Sequence, residues 1–232
     1  MFKLIPKLLY MILACFMGLF VVSSLFVRAE YNYAAYGDNP ILQGQRLWIY
    51  IPLILLLLVA GVLLYQVAQR LSHYRPQVVI PGILLGALIM QVALIFLFPR
   101  LPTDDSQTVV SLALSMLYDH DYSTFQPGGY LHMFPFNFSM VVYIKTLLSW
   151  FPDNYLVLKS FNILFSLVTT LMIYLIYREL YDKAGERDYG ILLLAGCYLP
   201  SLLMNNLIYN DVIATACLTS GLYALIRYLK QA

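Results

Sequence analysis

Long unbroken apolar runs constrain this chain more than any other feature. Leu8–Val27, Leu47–Val67, Val78–Phe98, Val157–Tyr177, Ile191–Leu207 and Val212–Tyr228 each have the length and polarity of a membrane span. Crossing about 30 Å of hydrocarbon takes roughly 20 apolar residues in a helix. A helix satisfies its own backbone hydrogen bonds, which lipid cannot do. A β-barrel would show short alternating segments instead. The chain is 61% hydrophobic and 11% charged, where a soluble domain is nearer 25% charged, so the apolar excess must face lipid. The expectation is an all-α, polytopic integral membrane protein with about six transmembrane helices.

The remaining composition excludes other classes. A formal net charge of +2 gives no nucleic-acid surface. Cys15, Cys197 and Cys217 all lie in apolar runs without paired spacing, so they indicate neither a disulfide framework nor a zinc site. Lys3 and Lys7 ahead of an apolar run resemble a signal peptide, and Ile12-Leu13-Ala14-Cys15 a lipoprotein cleavage site. The run continues to Val27, however, which reads as an uncleaved first helix.

Basic residues orient the spans, because short cytoplasmic loops are enriched in Lys and Arg. With the N-terminus inside, Arg70, Arg75, Arg178, Lys183, Arg187, Arg227 and Lys230 join Lys3 and Lys7 on the cytoplasmic side. Arg28, Arg46, Arg100, Lys145 and Lys159 lie outside or at the outer interface. This holds only if the apolar stretch Phe138–Phe151, short and carrying Lys145, does not cross. It is read as a helix lying flat at the outer surface, with Phe138, Val141, Val142, Leu148 and Phe151 making apolar contacts while Lys145 and Asn137 reach water. Both termini are then cytoplasmic and the membrane is a plasma membrane. Pro99 to about Asn154 forms one large outer loop.

That loop holds Asp104, Asp105, Asp119, Asp121 and Asp153, and Asp211 falls on the same side. Asp104-Asp105 opens an amphipathic stretch to Leu117, with Val109, Leu112, Ala113, Met116 and Leu117 at helical spacing. Acids at a helix N-terminus complement its dipole. Paired carboxylates just beyond a span also suit general base chemistry, one taking a proton while the other is held. Asp211 is either the N-cap of the helix from Val212 or a functional acid near a span end. Asn205 and Asn206 either bond neighbouring helices or line a cavity. Asp119-His120-Asp121 fits no recognised metal-ligand spacing.

The order of these features resembles the N-terminal half of the multi-pass GT-C glycosyltransferases, in the protein-mannosyltransferase-like group. Asp104-Asp105-Ser106-Gln107 follows an outward span. Then come Gly128-Gly129-Tyr130-Leu131, Phe134-Pro135-Phe136-Asn137, a second interfacial helix, and Lys159-Ser160-Phe161-Asn162 at a span start. A basic inner loop and a span ending at an outer Asn210-Asp211 complete the match, from about Val78 to Tyr228. The resemblance implies transfer of a sugar from a polyprenyl-phosphate carrier to a hydroxyl acceptor on the extracytoplasmic side. It makes Asp105 the catalytic base, with Asp104 the alternative, Asp211 a supporting acid, and Lys159 and Asn210 substrate contacts. It implies no organic cofactor and leaves a divalent cation open. It also divides the chain into a leading helix pair, 1–77, and a GT-C-like core, 78–232. Ser106 stands where many members have Glu, and the chain stops at Ala232 where members continue with further spans. The rivals are a non-enzymatic subunit that assembles with a second polytopic membrane chain, and a transporter or lipid-handling protein.

The topology has a direct check. A cysteine at Ala184 should be shielded from an impermeant thiol reagent added outside intact cells, and one at Ser123 should react. Strong external labelling at position 184 would make Phe138–Phe151 a span and remove the frame of the family match.

Overall fold

Apolar helices joined by short polar turns dominate the computed structural model, which describes residues 4–30, 41–181 and 187–231. Lys3, Asp182, Lys183, Ala184 and Glu186 lie outside the described residues. Packing divides the chain into two units, Met1–Leu63 and Leu64–Ala232. The first contains α1 (Leu4–Phe26), β1 (Val27–Glu30), β2 (Ile41–Gly44) and the start of α2 (Leu47–Leu71). The second contains the end of α2, then α3 (Pro76–Leu97), α4 (Asp104–Leu114), α5 (Tyr130–Met133), α6 (Phe138–Trp150) and α7 (Tyr155–Tyr181). The last elements are α8 (Gly190–Gly196), α9 (Leu199–Met204) and α10 (Asp211–Gln231). The division falls within α2, whose Leu71 packs against the cluster of Val79, Tyr174, Tyr189 and Leu192.

The described residues include five helices long and apolar enough to cross a membrane: Lys7–Phe26 of α1, then α2, α3, α7 and α10. The protein is membrane-embedded on this ground. Two departures from the sequence expectation stand out. Strands β1 and β2 form an antiparallel pair, Val27 opposite Gly44 and Glu30 opposite Ile41, a short addition to an all-α fold. Arg28 ties the strands by bonding Glu30 at 3.0 Å and Gln43 at 2.7 Å. Gln45 and Tyr50 then bond the Ser24 carbonyl and hydroxyl, fixing the start of α2 against the end of α1. In the second departure, Ile191–Leu207 is two short helices, α8 and α9, broken at Cys197-Tyr198. Pro200 supplies the reason, since it lacks a backbone donor and cannot continue a helix interior.

A polar seam compensates for the broken segment. Asn162 of α7 donates to the Leu207 carbonyl at 2.8 Å and reaches the Asn205 carbonyl at 3.4 Å. Asn205 donates to Gln91 Oε1 of α3 at 2.6 Å. Asn206 donates to the Leu94 carbonyl at 3.3 Å and accepts from Lys159 Nζ at 3.2 Å. Lys159 also donates to the Arg100 carbonyl at 2.6 Å. All of these side chains are buried. Of the two readings of Asn205 and Asn206, the structure shows the first: both bond neighbouring elements.

The loop between α3 and α7 packs as a small cored layer. Helix α6 buries Met140, Val141, Ile144, Leu147 and Leu148, at spacings of one side of a helix. It places them against Val109, Val110, Ala113 and Met116 of α4 and the turn after it. Expected contacts Val141 and Leu148 are therefore inside this core. Phe138 and Val142 remain exposed on a second face of the helix, and Phe151 is exposed just beyond its end. At the opposite ends of α7 and α10, Glu179 pairs with Arg227 and Lys230 at 3.9 and 3.6 Å. Arg75 and Arg178 lie at that same end, beside the start of α3 and the finish of α7.

Asn162 offers a test of the seam. Asn162→Leu leaves the partly buried Leu207 carbonyl without its donor, which costs up to about 1–3 kcal/mol. Unfolding in mixed detergent micelles should show that loss, and Ser160→Ala, at an exposed site one turn face away, should show none. Equal stability of the two variants would mean the seam contributes nothing.

Candidate functional site

The local sequence determines how the acid pair is presented. Ser106 is buried and clamps the turn: it accepts from the Thr103 N–H at 3.0 Å and donates to the Thr103 carbonyl at 2.8 Å. This is half of a capping box, the helix-start device in which a side chain satisfies the N-cap amide. Asp104 takes a left-handed φ of 53°, a region that Asp enters more readily than most residues. Both acids are exposed. Only Asp105 lines the cleft that follows.

That cleft has a volume of about 240 Å³ and is walled by Asp105, Tyr130, Phe134, Phe136, Asn137, Tyr209 and Asn210, over Val109, Met140 and Ile208. Its residues come from the start of α4, from α5, from the turn before α6 and from the link ahead of α10. The buried floor belongs to the core of α4 and α6. Neither a hydrogen bond nor an ion pair from the described residues occupies the Asp105 carboxylate. Asn137 Nδ2 donates to the Tyr130 hydroxyl at 2.8 Å. Burial raises the Tyr130 phenol above its ordinary range and the nearby Asp105 carboxylate adds to this. The Asn137 bond opposes the rise, and Tyr209 contributes a smaller increase. The phenol therefore keeps its proton, and with a lone pair engaged by Asn137 that proton is free to be donated.

The turn that carries Tyr130 is closely built. Buried Thr124 accepts from the Leu131 N–H through its hydroxyl at 3.1 Å. Gly129 lies so close to Thr124 that a Cβ there would sit 2.3 Å from its carbonyl oxygen. Gly128 has a φ of +87° with open space around it.

Other expected site residues lie elsewhere. Lys159 is buried in the seam, with donors committed to Arg100 and Asn206, and it does not line the cleft. Asp211 is exposed at the first turn of α10, one residue beyond the cleft, where Asn210 supplies the carbonyl for Ala214 N–H. The N-cap position is thus held by Asn210. Asp121 is held by Ser123, whose backbone and hydroxyl donate at 2.8 and 3.1 Å and pull its carboxyl below the usual range. Among the described residues no three His, Cys, Asp or Glu side chains converge as a metal set. The cleft brings one carboxylate with amide oxygens, a donor set too poor in charge to fit a resident divalent cation, which prefers several hard oxygen ligands. Sequence reasoning missed Tyr130, Asn137 and Tyr209 as walls of the site, although the first two stand in short motifs rich in Gly, Pro and aromatics. No known family, curated protein or solved structure matches this chain.

The two glycines give a contrast. Gly128→Ala should cost about 1–2 kcal/mol for a left-handed alanine. Gly129→Ala must push the Thr124 carbonyl aside and should lower thermal stability in detergent by clearly more. Equal losses would show that the 124–131 turn is not tightly held.

Proposed function

We propose that this membrane protein transfers a sugar from a polyprenyl-phosphate donor to a hydroxyl acceptor, at the membrane face that carries the Asp105 cleft. The observation that carries this reading is the unengaged Asp105 carboxylate facing Asn210 and Tyr130 across one cleft, from chain segments far apart in sequence. Asp105 takes the proton of the acceptor hydroxyl as its oxygen bonds the anomeric carbon. The bond from that carbon to the phosphate oxygen breaks, and the phosphate departs with the electron pair. Tyr130, Asn137 and Asn210 hydrogen-bond the hydroxyls of sugar or acceptor, and the apolar floor keeps the reacting groups dry. Lys159 serves the reaction by holding the α3–α4 link against α7, and Asp211 acts from beyond the cleft on its potential. The basic residues at the opposite end support an extracytoplasmic cleft, with cytoplasmic termini and a plasma membrane as the setting.

Asp105→Asn tests the reading. The amide nearly preserves shape but cannot take up the proton, and general base catalysis is commonly worth roughly 10²–10⁴-fold. Transfer from polyprenyl-phosphate-linked radiolabelled hexoses, assayed in membranes with any partner chain present, should fall by that factor while expression and insertion stay unchanged. An Asp105 that only complements the dipole of α4 is worth about 0.3–1 kcal/mol of stability, so its loss would leave activity intact. Full activity in the Asn variants of both Asp104 and Asp105 would put the non-enzymatic subunit in front.

A further inference from the structure

The second face of α6 lines a separate groove. It has a volume of about 450 Å³ and is walled by Phe125, Phe138, Val142, Tyr122, Lys145 and the small polar residues Thr146 and Ser149, with Met116 at its base. The turn opposite α6 is a π-helical one, Ser115–Asp119, followed by the 3₁₀ turn Ser123–Phe125. These irregular turns bring Tyr122 to Lys145 and Phe125 edge-on to Phe138, 5.7 Å between ring centres, so the two aromatics form the groove wall facing α6. Its apolar walls are exposed: Tyr122, Phe125, Phe138 and Val142 are each more than a third accessible.

Lys145 is the single charge in this lining. Its ammonium bonds the Tyr122 hydroxyl at 3.2 Å and lies 5.4 Å from the ring centre. No carboxylate of the described residues pairs with it. Asp119 and Asp121, the acids nearest in sequence to Tyr122, line no part of the groove, and Ser123 holds the Asp121 carboxylate. A partly covered lysine beside apolar walls lacks only an anion. The groove belongs to a layer strung between the membrane helices α3 and α7, so it sits where one membrane face meets water. An occupant there needs an apolar body and an anionic head at interface depth.

We propose that this groove binds an acidic phospholipid, its phosphate on Lys145 and the upper part of an acyl chain along Phe125, Phe138 and Val142. The lysine's cation–π contact and its bond to Tyr122 hold the ammonium at the rim. Its remaining N–H donors are left for phosphate oxygens. The site is independent of the Asp105 cleft, which lies on the other side of Asn137 and Met140.

Photocrosslinking reads this site locally. The full chain is reconstituted into vesicles of equal parts phosphatidylglycerol and phosphatidylcholine, with photoreactive p-benzoylphenylalanine in place of Phe138. The same probe at Leu164, exposed on α7, reports the bulk bilayer. Attraction of an acidic lipid to one basic residue corresponds to roughly fivefold enrichment. Adducts at 138 should therefore favour phosphatidylglycerol about fivefold over those at 164. Lys145→Gln should bring the ratio at 138 down to that at 164, Lys145→Arg should preserve it, and Val142→Trp should reduce total lipid adduct by filling the groove. A ratio at 138 equal to that at 164 in the unsubstituted chain overturns the proposal. So does an enrichment that survives Lys145→Gln, or a lipid yield that Val142→Trp leaves unchanged.

Discussion

The bonds that Asn162, Lys159 and Asn206 make to backbone carbonyls decide how the larger unit is arranged. A helix crossing lipid needs no outside partners, but a segment that breaks at Cys197-Tyr198 and unwinds after Met204 leaves polar groups exposed to hydrocarbon. Each unsatisfied group there costs kilocalories. The three side chains, with Gln91, turn that liability into a joint between α3, α7 and the link before α10. Without the joint, residues 205–210 have no fixed course, and Tyr209 and Asn210 have no place in the cleft.

The cleft thus rests on two supports of different kind. One wall depends on the polar joint within the helices. The other depends on an apolar core between α4 and α6, and on a turn whose geometry admits only glycine at 129. The acid itself is aimed by Ser106, a small buried hydroxyl that makes two bonds to Thr103. The open carboxylate of Asp105 is left accessible by this arrangement, while Asp104, with its left-handed backbone, points elsewhere than the lining.

Much of the membrane architecture was legible because hydropathy reports directly on burial in lipid. Long runs such as Val78–Phe98 and Val157–Tyr177 became α3 and α7 with little change. The amphipathic stretch after Asp104 was also legible by period, and the separate helix from Phe138 by its short length and the distribution of basic residues. The break in Ile191–Leu207 was not, because apolar composition outweighs a single proline when only averages are read. The pairing of β1 and β2 was invisible because its strands are four residues each, too short for an alternating pattern to register. At the site, the Asp104-Asp105 pair could be named from its position just beyond a span, while the choice of Asp105 and the naming of Asn210 came from the family resemblance. Tyr130 and Asn137 could not be placed, since their juxtaposition depends on the 124–131 turn. Lys159 looked available because sequence shows a charge near a span end and not the carbonyls that surround it.

The polar joint also has a direction in time. Chains are made from the N-terminus, and earlier segments settle before later ones emerge. Gln91, the Leu94 carbonyl, Lys159 and Asn162 all precede the broken segment that they receive. When residues 190–207 leave the ribosome, their docking partners are already laid down in α3 and α7. A stretch too interrupted to enter lipid by itself can therefore enter onto a waiting template. Placing the same segment ahead of α3 would require it to stand in hydrocarbon with its carbonyls bare.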